Sequence, residues 1–163
     1  MVDSRAAMTS SAHICYNSKR FSLTLSDIAK HLRENSSWHV SVTEWSGYGT
    51  VVPQLLVQTP IPFLIQIEDD PDWVPGEIQE IIEWEDLDPN SDIAQRIAQC
   101  DARLAVQSTT TDQVINDGSS ITVSTLGTAI DPSNFEISDV LIVLCRKIEG
   151  VIHDCVNGGV TVR

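Results

Sequence analysis

The sequence contains one short run of residue types that could do chemistry, His153-Asp154-Cys155. Together they supply a general base, a carboxylate to orient it and a thiol nucleophile. In a strand, however, His153 and Cys155 would share one face, about 6.5 to 7 Å apart, and Asp154 would point to the other. The Asn157-Gly158 pair that follows is typical of a two-residue hairpin turn, and "VTV" supplies a returning strand. We therefore predict a terminal hairpin here and assign no catalytic residue.

The segment "DLDPNSD" places ligand-type side chains at alternate positions, as the first half of a calcium-binding loop does. These are Asp86, Asp88, Asn90 and Asp92. The pattern then fails, because Ser91 stands where the loop needs glycine and Ile97 where it needs a bidentate glutamate. A helix cap by Asp or Ser explains the segment better.

The cysteines and the remaining histidines do not follow any metal-ligand spacing. There is no C-x-x-C among Cys15, Cys100, Cys145 and Cys155. This scatter is typical of reduced, mostly buried thiols. The spacing of His13, His31 and His39 matches no H-x-x-x-H pattern, so structural roles are expected. We predict no metal and no cofactor.

Charge is distributed unevenly along the chain. The formal net charge is −13, from 23 acidic and 10 basic residues. No Lys or Arg occurs from Glu34 to Gln95, a stretch that holds 13 of the carboxylates. The acidic and basic residues of the segments before and after it are equal in number, so their charges cancel. A field of this sign repels nucleic acid and anionic membrane and steers association with a basic partner. The alternative is an acidic face that only keeps the protein in solution.

Two tryptophans, Trp73 and Trp84, lie inside the acidic segment. Aromatic side chains ringed by carboxylates suit a Lys/Arg-rich protein surface, because apolar burial and charge-assisted pairing then act together. The alternative is that both indoles pack as peripheral core. The predicted partner-binding residues are Glu68, Asp69, Asp70, Asp72, Trp73, Glu77, Glu80, Glu83, Trp84, Glu85, Asp86 and Asp88.

Hydrophobic periodicity predicts the secondary structure. Pro53 lies inside a predicted strand, so that strand should be an edge or begin after Pro53. In chain order the sequence predicts a helix over 24–34, a three-strand meander over 38–68, a helix in "EIQEIIEWEDL", a helix in "DIAQRIAQC", a strand over 102–108, a long excursion over 109–132 with a short strand at "SITVST", a helix opened by a Ser133-x-x-Glu136 capping box and ended by Gly150, and the terminal hairpin.

The element pattern predicts one domain over residues 1–163 of the α+β class. The expected architecture is a mainly antiparallel sheet with helices packed on one face, in the order α-β-β-β-α-α-β-α-β-β. Partial disorder is expected only over residues 1–20. The opening "MVDSRAAMTSSA" has no apolar core typical of a signal peptide, and no long apolar run occurs, so a cytoplasmic location is expected.

The C-terminal half, "CDARLAVQS" followed by "ISDVLIVLCRKIEGVIHDCVNGGV", resembles small bacterial proteins in which a strand, a long helix and a final hairpin close an α+β domain. Several of these proteins are similar to immunity proteins, the non-enzymatic cytoplasmic inhibitors of bacterial toxins. The resemblance covers about residues 100–160 and is a pattern of elements, so it carries no binding residues across. It implies a toxin as the partner.

These observations lead to a functional expectation with two alternatives. The leading hypothesis is a non-enzymatic immunity-type inhibitor, monomeric or homodimeric, that binds a basic toxin with its acidic segment and neither nucleic acid nor membrane. The first alternative is a small enzyme or ligand-binding domain with a pocket near His153 and Cys155. A close contact between His153 and a carboxylate or thiolate in a concave pocket would favour it. The second alternative is an adaptor or a subunit of a larger assembly.

Overall fold

The computed structural model describes residues 12–47, 49–58, 62–108, 114–116, 121–123 and 139–162. Their elements, in chain order, are β1 (Ala12–Tyr16), α1 (Leu25–Asn35), β2 (His39–Gly47), β3 (Thr50–Gln58), β4 (Phe63–Glu68), α2 (Val74–Trp84), α3 (Asp92–Ala98), β5 (Ala102–Ser108), β6 (Val114–Asn116), β7 (Ile121–Val123), α4 (Asp139–Lys147), β8 (Val151–Asp154) and β9 (Val160–Thr161). The α+β class is confirmed. The predicted order lacked β1 and the β6–β7 hairpin, although β7 lies in the predicted "SITVST" strand.

The strands of the described residues form a single sheet in the order β6-β7-β2-β3-β4-β5-β1-β8-β9. Pairing is antiparallel except between β2 and β7, which run parallel. The predicted meander is therefore confirmed as β2-β3-β4. β1, from the end of the chain where partial disorder was expected, lies between β5 and β8. Residues 1–11 of that stretch lie outside the described part.

Helices cover both faces of the sheet. The helices α1 and α4 pack with Ile14 and Ile152, whereas α2 and α3 pack with the neighbouring Cys15 and Val151. Successive side chains of a strand point to opposite faces of the sheet. A strand with apolar side chains on both faces therefore needs helices packed on both faces. The prediction of helices on one face was wrong for this reason. No helix within the described ranges is long and apolar enough to cross a membrane.

Local sequence explains where the helices begin. Thr24 caps α1 in a capping box with Asp27, and Ser91 caps α3, which accounts for the "DLDPNSD" segment without calcium. Pro75 lies in the first turn of α2, where its missing N–H costs no hydrogen bond. The predicted Ser133-x-x-Glu136 box lies outside the described residues. These starts agree with the predicted helices.

Two predictions about backbone detail need correction. β3 begins at Thr50 and includes Pro53, with β2 on one side and β4 on the other. Its described register with β4 starts only at Leu55, so Pro53 pairs with β2 alone and is tolerated. The terminal hairpin is confirmed, but its turn is longer than two residues: Asp154 and Gly159 close it through a backbone hydrogen bond, and Asp154 Oδ1 accepts two backbone N–H groups of the turn.

Gly150 follows α4, as predicted. Its backbone lies so close to β1 and to the end of α4 that a side chain would not fit. A Cβ at this position would lie 2.9 Å from a methyl carbon of Ile14 and 3.2 Å from the Cys145 sulfur. Glu149, just before it, takes the left-handed conformation with φ of 50°. The glycine therefore lets α4 pass directly into β8 against β1.

Candidate functional site

A pocket of about 500 Å³ lies between α2 and the sheet. Three strand residues, His13, Arg103 and His153, form its floor, and the C-terminal half of α2 forms one wall. The turn after β8 closes the other side. The lining residues are His13, Glu68, Glu77, Glu80, Ile81, Trp84, Glu85, Arg103, His153, Asp154, Cys155, Val156, Asn157 and Gly158. The site therefore joins the predicted acidic segment to the terminal hairpin.

Sheet register brings two histidines together at the floor. His13 of β1 lies directly opposite His153 of β8, and their ring centroids are 6.3 Å apart. Cys155, just beyond β8, places its sulfur 3.5 Å from His13 Nδ1. One ligand atom from each of the three residues lies within 4.8 Å of the others. The predicted separation of 6.5 to 7 Å assumed that both His153 and Cys155 lie in a strand, whereas β8 ends at Asp154 and Cys155 lies in the turn.

His153 is held by a carboxylate from α2. Its Nε2 lies 2.9 Å from Glu85 Oε1, and Glu85 Oε2 accepts the Gly159 backbone N–H at 2.8 Å. These two hydrogen bonds lower the pKa of Glu85, so the carboxylate is ionised and Nε2 must donate the proton. His153 Nδ1 is buried and has no hydrogen-bond partner among the described residues. With Nε2 bound to Glu85, Nδ1 is the ring nitrogen of His153 that is left without a partner in the part of the chain that the structure describes.

The protonation of His13 and Cys155 argues against an activated nucleophile. Burial, with the positive charge of Arg103 and the neighbouring His153, lowers the pKa of His13 to about 3. Loss of hydration raises the pKa of the Cys155 thiol to about 11, although Arg103 opposes the shift. At neutral pH the proton therefore stays on sulfur beside a neutral imidazole. A reactive cysteine needs a thiolate beside an imidazole that has taken up the proton.

Arg103 occupies the centre of the floor and neutralises two of the predicted binding carboxylates. Its guanidinium donates to Glu68 at 2.7 Å and to Glu77 at 3.0 Å, while only 5% of the residue is exposed. The Trp73 ring stacks near the same group, with 5.6 Å from the guanidinium carbon to the ring centroid. A buried guanidinium stays charged, and partners of this kind offset the cost of its lost hydration.

The structure divides the predicted partner-binding residues into two sets. Trp84 is 79% exposed and lies off the apolar stripe of α2. Its near neighbours in sequence, Glu80, Glu83, Asp86 and Asp88, are also exposed, and we call these five residues the Trp84 surface. Asp69, Asp70 and Asp72 are exposed in the loop before α2. The remaining set is half-buried and faces inward: Glu68, Trp73, Glu77 and Glu85.

Sequence reasoning missed His13 and Arg103 as residues of the site. Each is a polar residue at the second position of a short, mostly apolar run, "AHICY" and "ARLAV". A charged side chain inside a strand is rarely buried without a partner, so Arg103 did carry a signal for a nearby carboxylate. The meeting of His13 with His153 depends on strand order, which no local pattern encodes.

Comparisons of the chain with protein-family models, with curated proteins and with solved structures found no match. The resemblance to immunity proteins therefore stays an expectation.

Proposed function

We propose that this protein is a non-enzymatic binding protein whose Trp84 surface receives a basic protein. Following the resemblance, we further propose that it is an immunity-type inhibitor and that its partner is a basic bacterial toxin. Binding would cover the toxin's active or substrate-binding surface.

One observation carries the proposal: Trp84 exposes 79% of its surface among carboxylates that have no cation in their own stretch of chain. An exposed indole is costly in water, and burying it on a partner gains apolar contact. Glu80 lies one helical turn before Trp84, so a Lys or Arg side chain over the ring would also meet a carboxylate. The Trp84 surface thus offers an aromatic anchor and neighbouring carboxylates, the two features that a hot spot for a basic protein needs.

The thiol chemistry of the pocket supports a binding role over covalent catalysis. Cys155 keeps its proton and His13 is a poor base, since the pKa of the thiol is raised and that of the imidazole is lowered. Two floor carboxylates are committed to Arg103 and one to His153. These groups hold the hairpin and α2 in place beneath Trp84.

Differential affinity capture from the native host tests the proposal. Three baits are compared: the natural chain, a Trp84→Ala/Glu80→Gln/Glu83→Gln variant, and a Glu34→Gln/Glu44→Gln control that removes two exposed carboxylates elsewhere. A basic protein should be retained by the first and third baits and lost from the second. With that protein purified, Trp84→Ala alone should weaken binding by about 30-fold or more, since hot-spot tryptophans contribute about 2 kcal/mol or more.

Equal retention by all three baits would contradict the Trp84 surface as the interface. If a basic partner is retained but has no toxic activity that the protein inhibits at equal concentration, the toxin part of the proposal fails while the binding part stands.

A second candidate function is a ligand-binding domain or small enzyme that uses the pocket, because a specific observation favours it. The His153–Glu85 contact of 2.9 Å lies inside a concave pocket of about 500 Å³, a size that suits a small molecule. A fragment screen by protein-observed NMR tests this candidate. Hits that shift His13, His153 and Cys155 together would support it, and a screen without hits at these residues would contradict it.

A further inference from the structure

We propose that His13, His153 and Cys155 form a binding site for a single zinc ion. One ligand atom from each residue lies within 4.8 Å of the others, although the three come from opposite ends of the chain. Two imidazoles and one thiol are a donor set that zinc prefers, and zinc accepts three protein ligands with a water or substrate group in the fourth position. The proposal departs from the expectation of no metal, which rested on local spacing alone.

The distances suit a tetrahedral ion. Zinc–nitrogen bonds of about 2.0–2.1 Å and zinc–sulfur bonds of about 2.3 Å separate neighbouring ligand atoms by about 3.3–3.7 Å. Cys155 Sγ and His13 Nδ1 are already 3.5 Å apart. The widest separation, at most 4.8 Å, must close by about 1 Å. Cys155 is exposed and lies in the turn after β8, so its side chain has room to rotate as the three ligand atoms draw together.

The unused nitrogen of His153 is the second, independent observation. Only 9% of this residue is exposed, its Nδ1 is buried, and that atom lacks a hydrogen-bond partner within the described part of the chain. A buried polar atom without a partner destabilises the fold, so native proteins rarely keep one without a reason. With Nε2 engaged by Glu85, Nδ1 is the nitrogen that remains for a metal.

The surroundings repeat the arrangement found around metal-bound histidines, in which the second ring nitrogen donates to a carboxylate. His153 Nε2 meets Glu85 at 2.9 Å, and His13 Nε2 faces Glu68 at 4.0 Å. Only the first of these distances is a hydrogen bond, so His153 has the carboxylate partner, whereas His13 is placed for the ion by its Nδ1, which lies 3.5 Å from Cys155 Sγ. When the ion binds, the S–Zn bond forms and the S–H bond breaks, and the thiol proton leaves to solvent.

Cobalt and zinc titrations of the full, reduced, chelator-treated chain test the site. One equivalent of Co²⁺ should give the visible bands of a tetrahedral site with a near-ultraviolet thiolate band, and Zn²⁺ should remove both. Cys155→Ser should abolish the thiolate band and weaken zinc binding at least 10-fold. Glu85→Gln should keep the band and weaken binding about 10- to 100-fold, as losses of such carboxylate partners do.

His39→Gln is the matched control, because His39 is an exposed histidine outside the pocket and its loss should change nothing. Circular dichroism establishes that each variant is folded. The proposal is overturned if no stoichiometric cobalt spectrum forms, or if the thiolate band persists in Cys155→Ser. The test is independent of the basic partner, since Cys155→Ser leaves the Trp84 surface intact.

Discussion

At the scale of single residues, the carboxylates of the acidic segment fall into two groups. Glu68 and Glu77 neutralise Arg103, and Glu85 holds His153, so three carboxylates of the predicted binding surface are internal. Those of the Trp84 surface remain exposed. A variant that replaces inward and outward carboxylates together would therefore confuse folding with binding.

The internal role of Arg103 can be measured directly. Arg103→Met removes the guanidinium that Glu68 and Glu77 bind in a partly buried setting. Breaking a buried ion pair in this way costs about 3–5 kcal/mol of unfolding free energy. Urea denaturation measures the loss.

Arg20→Met is the matched control for that prediction. Arg20 pairs with Glu149 at 2.8 Å, but both side chains are at least half exposed, so the loss should stay below about 1 kcal/mol. Equal losses for the two variants would show that Arg103 is not the internal partner of these carboxylates.

The exposure of Trp84 was predictable, whereas the floor of the pocket was not. In "EIQEIIEW" the apolar stripe runs through Ile78, Ile81 and Ile82, and Trp84 falls off that stripe by helical geometry alone. The contact between His13 and His153 joins residues 140 positions apart and depends on the order of strands in the sheet. Local spacing therefore gave the outer surface and missed the cluster beneath it.

At the scale of elements, the boundaries followed from local chemistry. The start of α1, the Ser91 cap and the β5 limits of Ala102–Ser108 agree with the sequence prediction. The position of β1 between β5 and β8 was missed because sheet order is set by packing on two faces. The longer terminal turn was missed because Asp154 binds the turn backbone and displaces the Asn-Gly geometry.

The capping box of α1 predicts a pH-dependent contribution to stability. Hydrogen bonds from the backbone and side chain of Thr24 lower the pKa of Asp27 below its usual 3.8. A carboxylate whose folded-state pKa is lowered stabilises the fold above its unfolded pKa, and the effect is lost as pH falls through the folded value. Asp27→Asn should therefore be less stable than the natural chain at neutral pH, and the difference should shrink as pH falls below the usual pKa of 3.8.

Urea midpoints of the two proteins across this pH range provide the measurement. Ser26→Ala is the control, since Ser26 is exposed on the same turn of α1 and has no titratable group. Its stability difference from the natural chain should not change with pH. A gap for Asp27→Asn that stays constant down to about pH 3 would contradict the role of the ionised cap.

At the scale of the whole molecule, the charge of −13 arises from a stretch without cations, and the exposed part of that stretch surrounds Trp84. A concentrated field of one sign accelerates encounter with an oppositely charged protein and is screened by salt. If the overall charge sets the association rate, the position of a removed carboxylate should not matter, whereas if the local charge around Trp84 sets it, the position should matter. Two variants with equal net charge but different sites of substitution separate them.

The most direct test of the central claim is the association rate of the captured basic partner, measured by stopped flow across ionic strengths. Glu80→Gln/Glu83→Gln and Glu34→Gln/Glu44→Gln each remove two negative charges. We predict that the first variant associates about 3- to 10-fold more slowly than the natural chain at low salt, with a shallower salt dependence, and that the second follows the natural chain. Identical rates and salt slopes for the two variants would contradict the Trp84 surface as the site of binding.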